Sequence, residues 1–373
     1  MSGSPLRVAV LGAGTVGREV VHALLERSAG LRSADGPAPV LGAIAVRDVE
    51  RAIAAGVPAS MVSDAPAHLV ADPEVDVVVE LMGGDEPAHT LIAAALAMGK
   101  SVVTANKHVV AHHGAELEAI ARRTGAVLRF EASVGGGIPV LGPLATDLAA
   151  NRVERVRGIV NGTTNFILSA MTDPASPQEF EAALAEAQRL GYAEADPSGD
   201  VEGLDAVNKL VILARLAFDV WLDPAAIATR PDGADGPAGP GITTVSLADQ
   251  QDAQGADRII RLVATASARW GAAGDDEAVR IEAAVLPTAL TIESALGRTA
   301  GVRNRVEIDA VPVGRVGFDG PGAGGAATSS AVLGDLLAIA RGAGSTWGGR
   351  PAAAGPSGRP VAPPDRAVLT ATS

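Results

Sequence analysis

The first half of the chain alternates short apolar runs with amphipathic stretches. Val8 to Leu11 form the first apolar run, and Val16, Val20 and Leu24 follow at helical spacing. Further apolar runs occur in "VLGAIAVRDVER", "VDVVVELMGG", "SVVTANK" and "AVLRFEASVGGG", with helical patterns between the later ones. Continuous apolar strands that alternate with helices are typical of buried parallel sheets. The pattern predicts an α/β domain with a doubly wound parallel sheet over residues 1–140.

From about residue 141 the pattern changes to mixed helix and strand. Helical periodicity occurs in "FEAALAEAQRL" and over residues 199–218, and strands are predicted at "RVRGIV", "AVRIEAAVLPTA" and "NRVEIDAVPVGRVGF". This indicates a second, α+β domain over residues 141–319. Gly, Pro, Ala and Ser dominate from Ala343 onward, which predicts a disordered low-complexity tail over residues 343–373.

The loop after the first strand carries Gly12, Gly14 and Gly17 in the spacing G-x-G-x-x-G. The first glycine permits a tight turn, the second lets the backbone approach a pyrophosphate, and the third lets helix pack on strand. The following helix directs the positive end of its dipole at the phosphates. Because a strand precedes the loop and a helix follows it, we predict a Rossmann-type dinucleotide site that includes Thr15 and Val16.

The second predicted strand ends at Arg47 and Asp48, where such domains recognise the ribose. An arginine there can pair with a 2′-phosphate and favours NADP, whereas an acidic residue favours the free hydroxyl of NAD. Both cofactors stay open, as does the interpretation that the two side chains only solvate a loop.

Other candidate residues fall at the carboxyl ends of predicted strands, where ligands bind in an open α/β sheet. They are Gly83, Gly84 and Lys107. His108 and His112 have helical spacing, and His113 follows them. No carboxylate pattern or third ligand lies nearby in the sequence at the spacing usual for a metal site. We therefore predict that these are exposed histidines in a loop and not metal ligands.

The lysines are informative because the chain has only three, against twenty-seven arginines. Lys209 follows Asp205 by four residues, a spacing that supports a helical ion pair, and the same face continues through Ile212 and Leu216. An exposed salt bridge is the alternative. The apolar continuation instead indicates a desolvated pair. Since arginine does not release its proton, Lys209 is predicted to be a proton-transfer group beside Asp205.

Composition narrows the functional classes. A net charge of −13 argues against nucleic acid, so small molecules or further copies of the chain are the expected partners. The absence of cysteine excludes disulfides and thiol nucleophiles. No secretory leader or membrane-length apolar run is evident, which predicts a cytoplasmic protein without membrane contact.

Several sequence blocks together resemble the homoserine dehydrogenases, over about residues 7–342. The blocks are "GAGTVG", "VVVELMGG", "VVTANK", "EASVGGGIPV", "GIVNGTTNFIL", "GYAEADPSGDVEGLDAVNKL" and "GPGAGG". The resemblance implies NAD(P)H-dependent reduction of L-aspartate 4-semialdehyde to L-homoserine, a step toward threonine, methionine and isoleucine. It also implies a nucleotide-binding domain completed by residues 320–342, and catalysis and homodimer formation through residues 141–319. Many monofunctional members of that family extend into a regulatory ACT domain that senses threonine, whereas this sequence continues into the low-complexity tail, so we do not expect feedback through such a domain. No kinase sequence precedes Gly12, so we do not expect a fused kinase.

The resemblance also assigns roles to residues. Lys209 would exchange the proton at the substrate oxygen, with Lys107 in the same pocket and Asp205 positioning Lys209. Substrate would contact Glu194, Asp200, Tyr192 and Gly191, and Gly322 would join the cofactor site. A sodium ion would be held mainly by backbone carbonyls at Glu131, Val134, Gly136 and Ile138.

Rival functions differ in what they require. A phosphorylating semialdehyde dehydrogenase needs a nucleophilic cysteine, which the chain lacks. The "NGTTNFIL" block argues against an amino-acid dehydrogenase of similar build. A non-catalytic dinucleotide-binding regulator of the same fold stays open as the alternative.

Overall fold

The computed structural model describes residues 4–26, 31, 36–230, 240–269 and 280–353. It contains two compact units, Met1–Asp147 with Ala323–Ala353, and Leu148–Gly322. The first unit therefore continues past residue 140, and residues 320–322 belong to the second unit. Within the described ranges, no helix is long and apolar enough to cross a membrane.

The first unit is built on a six-stranded parallel sheet, in the order β3 (Val62–Ser63), β2 (Pro39–Ala45), β1 (Leu6–Leu11), β4 (Val77–Glu80), β5 (Ser101–Thr104) and β6 (Leu128–Arg129). Its central strand β1 is buried from Val8 to Leu11, because strands flank it on both sides and α1 (Thr15–Glu26) and α3 (Pro66–Ala71) also contact it. The predicted doubly wound parallel sheet is confirmed. The elements of this unit are β1 (Leu6–Leu11), α1 (Thr15–Glu26), β2 (Pro39–Ala45), α2 (Val49–Ala54), β3 (Val62–Ser63), α3 (Pro66–Ala71), β4 (Val77–Glu80), α4 (Ala88–Ala97), β5 (Ser101–Thr104), α5 (Lys107–Thr124), β6 (Leu128–Arg129), α6 (Leu141–Ala145) and, at its end, α12 (Gly325–Ala340).

The predicted last strand of this sheet is shorter than expected. Only Leu128–Arg129 pair with β5, and a 3-10 turn follows at Glu131–Ser133. The chain leaves the sheet because the backbone N–H of Glu131 donates to the buried carboxylate of Asp335 on α12, at 2.8 Å. Arg129 Nε also donates to Asp335, at 2.7 Å. These bonds attach α12 to the sheet edge.

The prediction that His108, His112 and His113 lie in a loop is wrong. All three belong to α5, which begins after Asn106, whose side chain accepts a hydrogen bond from Val109 N at 3.2 Å. An asparagine just before a helix can accept a hydrogen bond from a backbone N–H of the first turn that would otherwise have no partner. This cap stabilises a helix in a segment whose polar residues suggest a loop.

The second unit contains helix α10 (Leu204–Phe218) and a five-stranded antiparallel sheet, in the order β11 (Gly314–Pro321), β10 (Arg303–Val311), β7 (Arg152–Ile159), β8 (Arg258–Arg269) and β9 (Arg280–Thr291). Helix α10 contacts β7, β8 and β9, and every residue from Asp205 to Phe218 is buried. This surrounds the helix with protein and explains its apolar sequence. The elements are β7 (Arg152–Ile159), α7 (Gly162–Ala170), α8 (Phe180–Arg189), α9 (Ser198–Val201), α10 (Leu204–Phe218), α11 (Leu247–Gly255), β8 (Arg258–Arg269), β9 (Arg280–Thr291), β10 (Arg303–Val311) and β11 (Gly314–Pro321).

The single helix predicted over residues 199–218 is in fact two helices. Gly203 separates α9 from α10 and has a left-handed backbone with φ of 86°. A side chain at this position would also lie 3.2 Å from Val285 Cγ1. Glycine adopts this conformation without steric cost, so it permits the sharp change of direction between the helices.

The prediction of a disordered tail is wrong for residues 343–353, whereas residues 354–373 lie outside the described residues. The backbone N–H of Thr346 donates to the carbonyl oxygen of Leu128 at 3.0 Å, and Thr346 Oγ1 accepts from the backbone N–H of Phe130 at 3.0 Å. Trp347 is 3% exposed, and the guanidinium of Arg122 lies 5.7 Å from the centre of its ring. Sequence reasoning missed this packing because one tryptophan among Gly, Pro, Ala and Ser residues forms no repeating apolar pattern from which its burial could be predicted.

Replacing Trp347 with alanine tests this packing. The loss of a buried aromatic side chain should lower the free energy of unfolding by about 3–5 kcal/mol, because a cavity remains. Denaturant unfolding measures it, with Met98→Ala as a control in the same unit, since Met98 is 56% exposed. Equal stability of the two variants would contradict the packed segment.

Candidate active site

The glycine loop after β1 forms a cradle that fits a dinucleotide. Gly12 has φ of 98°, and an added Cβ there would lie 2.8 Å from the carbonyl oxygen of Leu81. An added Cβ at Gly17 would lie 2.1 Å from the carbonyl oxygen of Gly12. At Gly14, by contrast, a Cβ would meet nothing within 4 Å. Gly14 is the position that the glycine pattern assigns to the approach of a pyrophosphate, and it lies just before α1, which begins with Thr15 and Val16.

The end of β2 separates the roles of Arg47 and Asp48. Asp48 is the N-cap of α2, and its carboxylate accepts a hydrogen bond from Arg51 N at 2.9 Å. Arg47 is exposed at the strand end. The acidic residue therefore has a structural function, whereas recognition of a 2′-phosphate by Arg47 stays a prediction.

A buried carboxylate organises the loops after β4 and β5. Glu80 accepts hydrogen bonds from Met82 N at 2.8 Å, Gly83 N at 3.2 Å and Thr104 Oγ1 at 2.6 Å. Burial raises the pKa of Glu80 above its usual value, against the opposing effect of these bonds. The carboxylate thus holds the turn that contains the predicted cofactor residue Gly83.

Asn106 connects this turn to Lys107. Its Nδ2 donates to the carbonyl oxygen of Gly84 at 2.8 Å, and its backbone N–H donates to Thr104 Oγ1 at 2.9 Å. Lys107 is the next residue and begins α5. Sequence reasoning missed Glu80, Thr104 and Asn106 as positioning residues, although an asparagine between a strand and a helix was the available signal.

In the second unit, Lys209 and Asp205 form a buried ion pair on α10. Lys209 Nζ lies 2.6 Å from Asp205 Oδ2 and 2.7 Å from the carbonyl oxygen of Val160. The two residues are 8% and 9% exposed. The predicted desolvated pair is confirmed, and the alternative of an exposed salt bridge is excluded.

Asn161 links this pair to a second carboxylate. Its Nδ2 donates to Asp205 Oδ2 at 2.9 Å and to Asp200 Oδ1 at 2.7 Å. Its Oδ1 accepts from Thr164 N at 2.8 Å as the N-cap of α7, which fixes the orientation of the amide because a backbone N–H can only donate. Asn161 belongs to the block "GIVNGTTNFIL", but sequence reasoning did not assign it to the site.

The other predicted substrate residues lie nearby in the chain but do not join this network. Tyr192 is exposed, its carbonyl oxygen accepts from Thr163 Oγ1 at 2.7 Å, and its ring lies 5.0 Å from that of Phe166. Glu194 is exposed, and its backbone carbonyl accepts from Gln188 Nε2 at 3.0 Å. Gly191 is also exposed, with φ of 76°. Their contacts with substrate stay predictions.

Gly322 lies against the buried amide of Asn304. An added Cβ at Gly322 would lie 2.1 Å from that side chain, so glycine is required for this close approach. Its predicted contact with the cofactor stays a prediction.

The segment predicted to bind sodium is organised around Glu131. Its carboxylate accepts from the backbone N–H groups of Val140, Leu141 and Gly142, at 2.8, 2.8 and 2.7 Å. Burial raises the pKa of Glu131, against the effect of these bonds. Coordination of a sodium ion by the carbonyl oxygens of Glu131, Val134, Gly136 and Ile138 stays a prediction.

Comparisons with known proteins agree with this geometry. The family model "Homoserine dehydrogenase, NAD binding domain" matches residues 12–131, and the model "Homoserine dehydrogenase" matches residues 139–337. Homoserine dehydrogenase of Corynebacterium glutamicum is 43% identical over 340 residues, which cover 91% of this chain and 73% of that protein.

Solved structures give the same result. A homoserine dehydrogenase from Thiobacillus denitrificans has a TM-score of 0.82 at 38% identity, covering 91% of this chain and 74% of that one. A hyperthermophilic archaeal homoserine dehydrogenase in complex with NADPH has a TM-score of 0.72 at 27% identity, covering 90% of this chain and 97% of that one. The fold, the glycine cradle and these relatives define an NAD(P)-dependent oxidoreductase. The chain belongs to the homoserine dehydrogenase family.

Two glycine variants should separate cofactor binding from folding. Gly14→Ala should leave the melting temperature nearly unchanged and weaken NADPH binding at least about 10-fold, because its methyl group enters the open cradle. Gly17→Ala should lower the free energy of unfolding by about 1–3 kcal/mol, because its methyl group overlaps the Gly12 carbonyl. Fluorescence titration and thermal melting measure the two effects, and the reverse pattern would contradict the assigned cradle.

Proposed function

We propose that this protein interconverts L-aspartate 4-semialdehyde and L-homoserine, with Lys209 as the proton-transfer residue. The observation that carries the proposal is the buried Lys209–Asp205 pair, with its amine 2.6 Å from the carboxylate. The alternative of a non-catalytic regulator has no support from the relatives, which are named as dehydrogenases.

A nicotinamide cofactor held at the loop of Gly12, Gly14 and Gly17 would supply or accept a hydride at the carbon that carries the substrate oxygen. During reduction, Lys209 transfers a proton from Nζ to the aldehyde oxygen as it becomes a hydroxyl group. In the reverse direction the neutral amine accepts that proton. Asp205 and the Val160 carbonyl hold Nζ in one position, which supports directed proton transfer.

Other residues would bind and orient the substrate. We assign the α-ammonium group of the substrate to the carboxylates of Glu194 and Asp200, since opposite charges attract and Asp200 is already oriented by Asn161. We assign stabilisation of the developing negative oxygen to Lys107, whose ammonium group would act as an oxyanion-hole donor does. The residue lies at the first position of α5, directly after the Asn106 cap.

Lys209→Arg tests the central assignment. Purified wild-type protein should oxidise L-homoserine with NADP or NAD, followed by the absorbance of the reduced cofactor. The arginine variant keeps the positive charge but cannot release a proton at neutral pH, so kcat should fall about 100-fold or more.

The matched control is Lys100→Arg, because Lys100 Nζ donates to the Asp72 carbonyl in the first unit and is assigned no catalytic function. Its kcat should stay near that of the wild type. NADPH titration of both variants verifies that the nucleotide cradle is intact. A Lys209→Arg variant with near-normal turnover would overturn the assignment, and a wild-type protein inactive on homoserine would overturn the reaction.

We also propose a preference for NADP. The support is the exposed Arg47 at the end of β2, together with the use of Asp48 as a helix cap. Arg47→Ala should raise KM for NADP at least about 10-fold and leave KM for NAD within about 2-fold, since only NADP carries the 2′-phosphate. Initial rates under both cofactors measure this, and equal changes in the two KM values would refute it.

A sodium ion at the Glu131 segment and a homodimer complete the proposal. The carbonyl oxygens of Val134, Gly136 and Ile138 are hard oxygen ligands suited to such a cation, and the left-handed turn at Gly135 and Gly136 changes the chain direction between them. The homodimer is supported by the family resemblance alone.

A further inference from the structure

Four of the six histidines lie on or beside one surface formed by α4 and α5 in the first unit. His89 lies in the first turn of α4, and His113 lies on α5. Their rings stack with centroids 3.8 Å apart and an angle of 12° between the planes. Two half-buried imidazoles are thus in contact although they are far apart in sequence.

Carboxylates surround these rings. Glu116 Oε2 lies 3.1 Å from His89 Nε2, and Glu86 Oε1 lies 3.2 Å from His89 Nδ1. Asp85 Oδ1 lies 2.8 Å from His113 Nε2. One ring nitrogen of each histidine and one oxygen of Glu116 lie within 4.8 Å of one another.

From this cluster we propose that His89, His113 and Glu116 bind one Zn²⁺ ion, or another divalent transition-metal ion of similar character. Zinc bonds to nitrogen and oxygen are about 2.0–2.2 Å long, so two ligands of a tetrahedral ion lie about 3.3 Å apart. The 3.1 Å separation of His89 Nε2 and Glu116 Oε2 is close to this value. A shift of the His113 ring that keeps its contact with Asp85 would close the remaining distance, and water would take the fourth position.

The neighbouring carboxylates strengthen this assignment. Histidines that bind metals commonly donate their other ring N–H to a carboxylate, which fixes the ring and leaves the ligating nitrogen unprotonated. Glu86 occupies that position for His89, and Asp85 orients the ring of His113. Imidazole ligands select zinc-like ions over Mg²⁺ and Ca²⁺, which prefer oxygen alone.

The ion would join α4 to α5. The proposal of this metal site does not depend on the proposed reaction. Glu116 and His113 are three residues apart on α5 and therefore share one face, whereas His89 comes from α4. Because a bound metal stabilises the folded state that forms its site, Zn²⁺ should raise the melting temperature of the protein.

Calorimetric titration of the metal-free full-length protein with Zn²⁺ tests the proposal. We expect one ion per chain. His113→Ala or Glu116→Gln should weaken Zn²⁺ binding at least about 10-fold, because loss of a residue that only hydrogen-bonds to a metal ligand already weakens binding by about this factor. The matched control is His22→Ala, because His22 and Glu26 form an exposed His–Glu pair at 3.1 Å that belongs to no three-ligand cluster of the described residues. Mg²⁺ should produce no comparable binding.

Further variants decide the location. His89→Gln keeps the size of the side chain and should also remove the rise in melting temperature with Zn²⁺. His112→Ala tests the neighbouring pair His108 and His112, whose rings lie 4.2 Å apart. Loss of binding in His112→Ala but not in His113→Ala would overturn the proposed ligand set, and so would the absence of stoichiometric binding to the wild type.

Discussion

The ion pair between Lys209 and Asp205 constrains much of the second unit. Removing two charges from water is costly unless each finds charged or hydrogen-bonding partners in the interior. Here the amine is held by Asp205 and by the carbonyl at the end of β7, and the carboxylate is held by Asn161. Asn161 in turn begins α7. The end of β7 and the helices α7 and α10 must therefore keep their relative positions for the ion pair to keep its hydrogen bonds. One interaction thus constrains both the packing of these elements and the geometry of the candidate site.

The first unit uses buried carboxylates in a different way. Glu80 and Glu131 accept hydrogen bonds from backbone N–H groups in irregular segments that follow strands. Such segments leave backbone donors without the partners that a regular sheet or helix supplies. One buried carboxylate accepts hydrogen bonds from several of these backbone N–H groups at once. It therefore holds a glycine-containing loop in one conformation, and the loop itself needs no bulky side chain. Glu80 thus holds the turn that contains the predicted cofactor residue Gly83, and Glu131 holds the segment that is predicted to bind sodium.

Local sequence patterns predicted a large part of this architecture. Apolar runs and helical spacing indicated the parallel sheet, because burial on both faces determines residue type at each position. The glycine loop was evident because each glycine has a distinct steric reason, which the close approaches at Gly12 and Gly17 bear out. The four-residue spacing of Asp205 and Lys209 indicated their contact, since helical geometry alone brings such residues together.

The sequence by itself thus determined the fold class, the nucleotide loop and the buried lysine pair, all of which depend on neighbours within a few residues. The tertiary structure alone decided which distant groups meet. It brought Thr104 to Glu80, Asn161 to Asp200 and Asp205, and His89 to His113. It also packed Trp347 in a segment of low complexity. These contacts depend on how separate elements dock, and periodicity along one element contains no information about the partner it will meet.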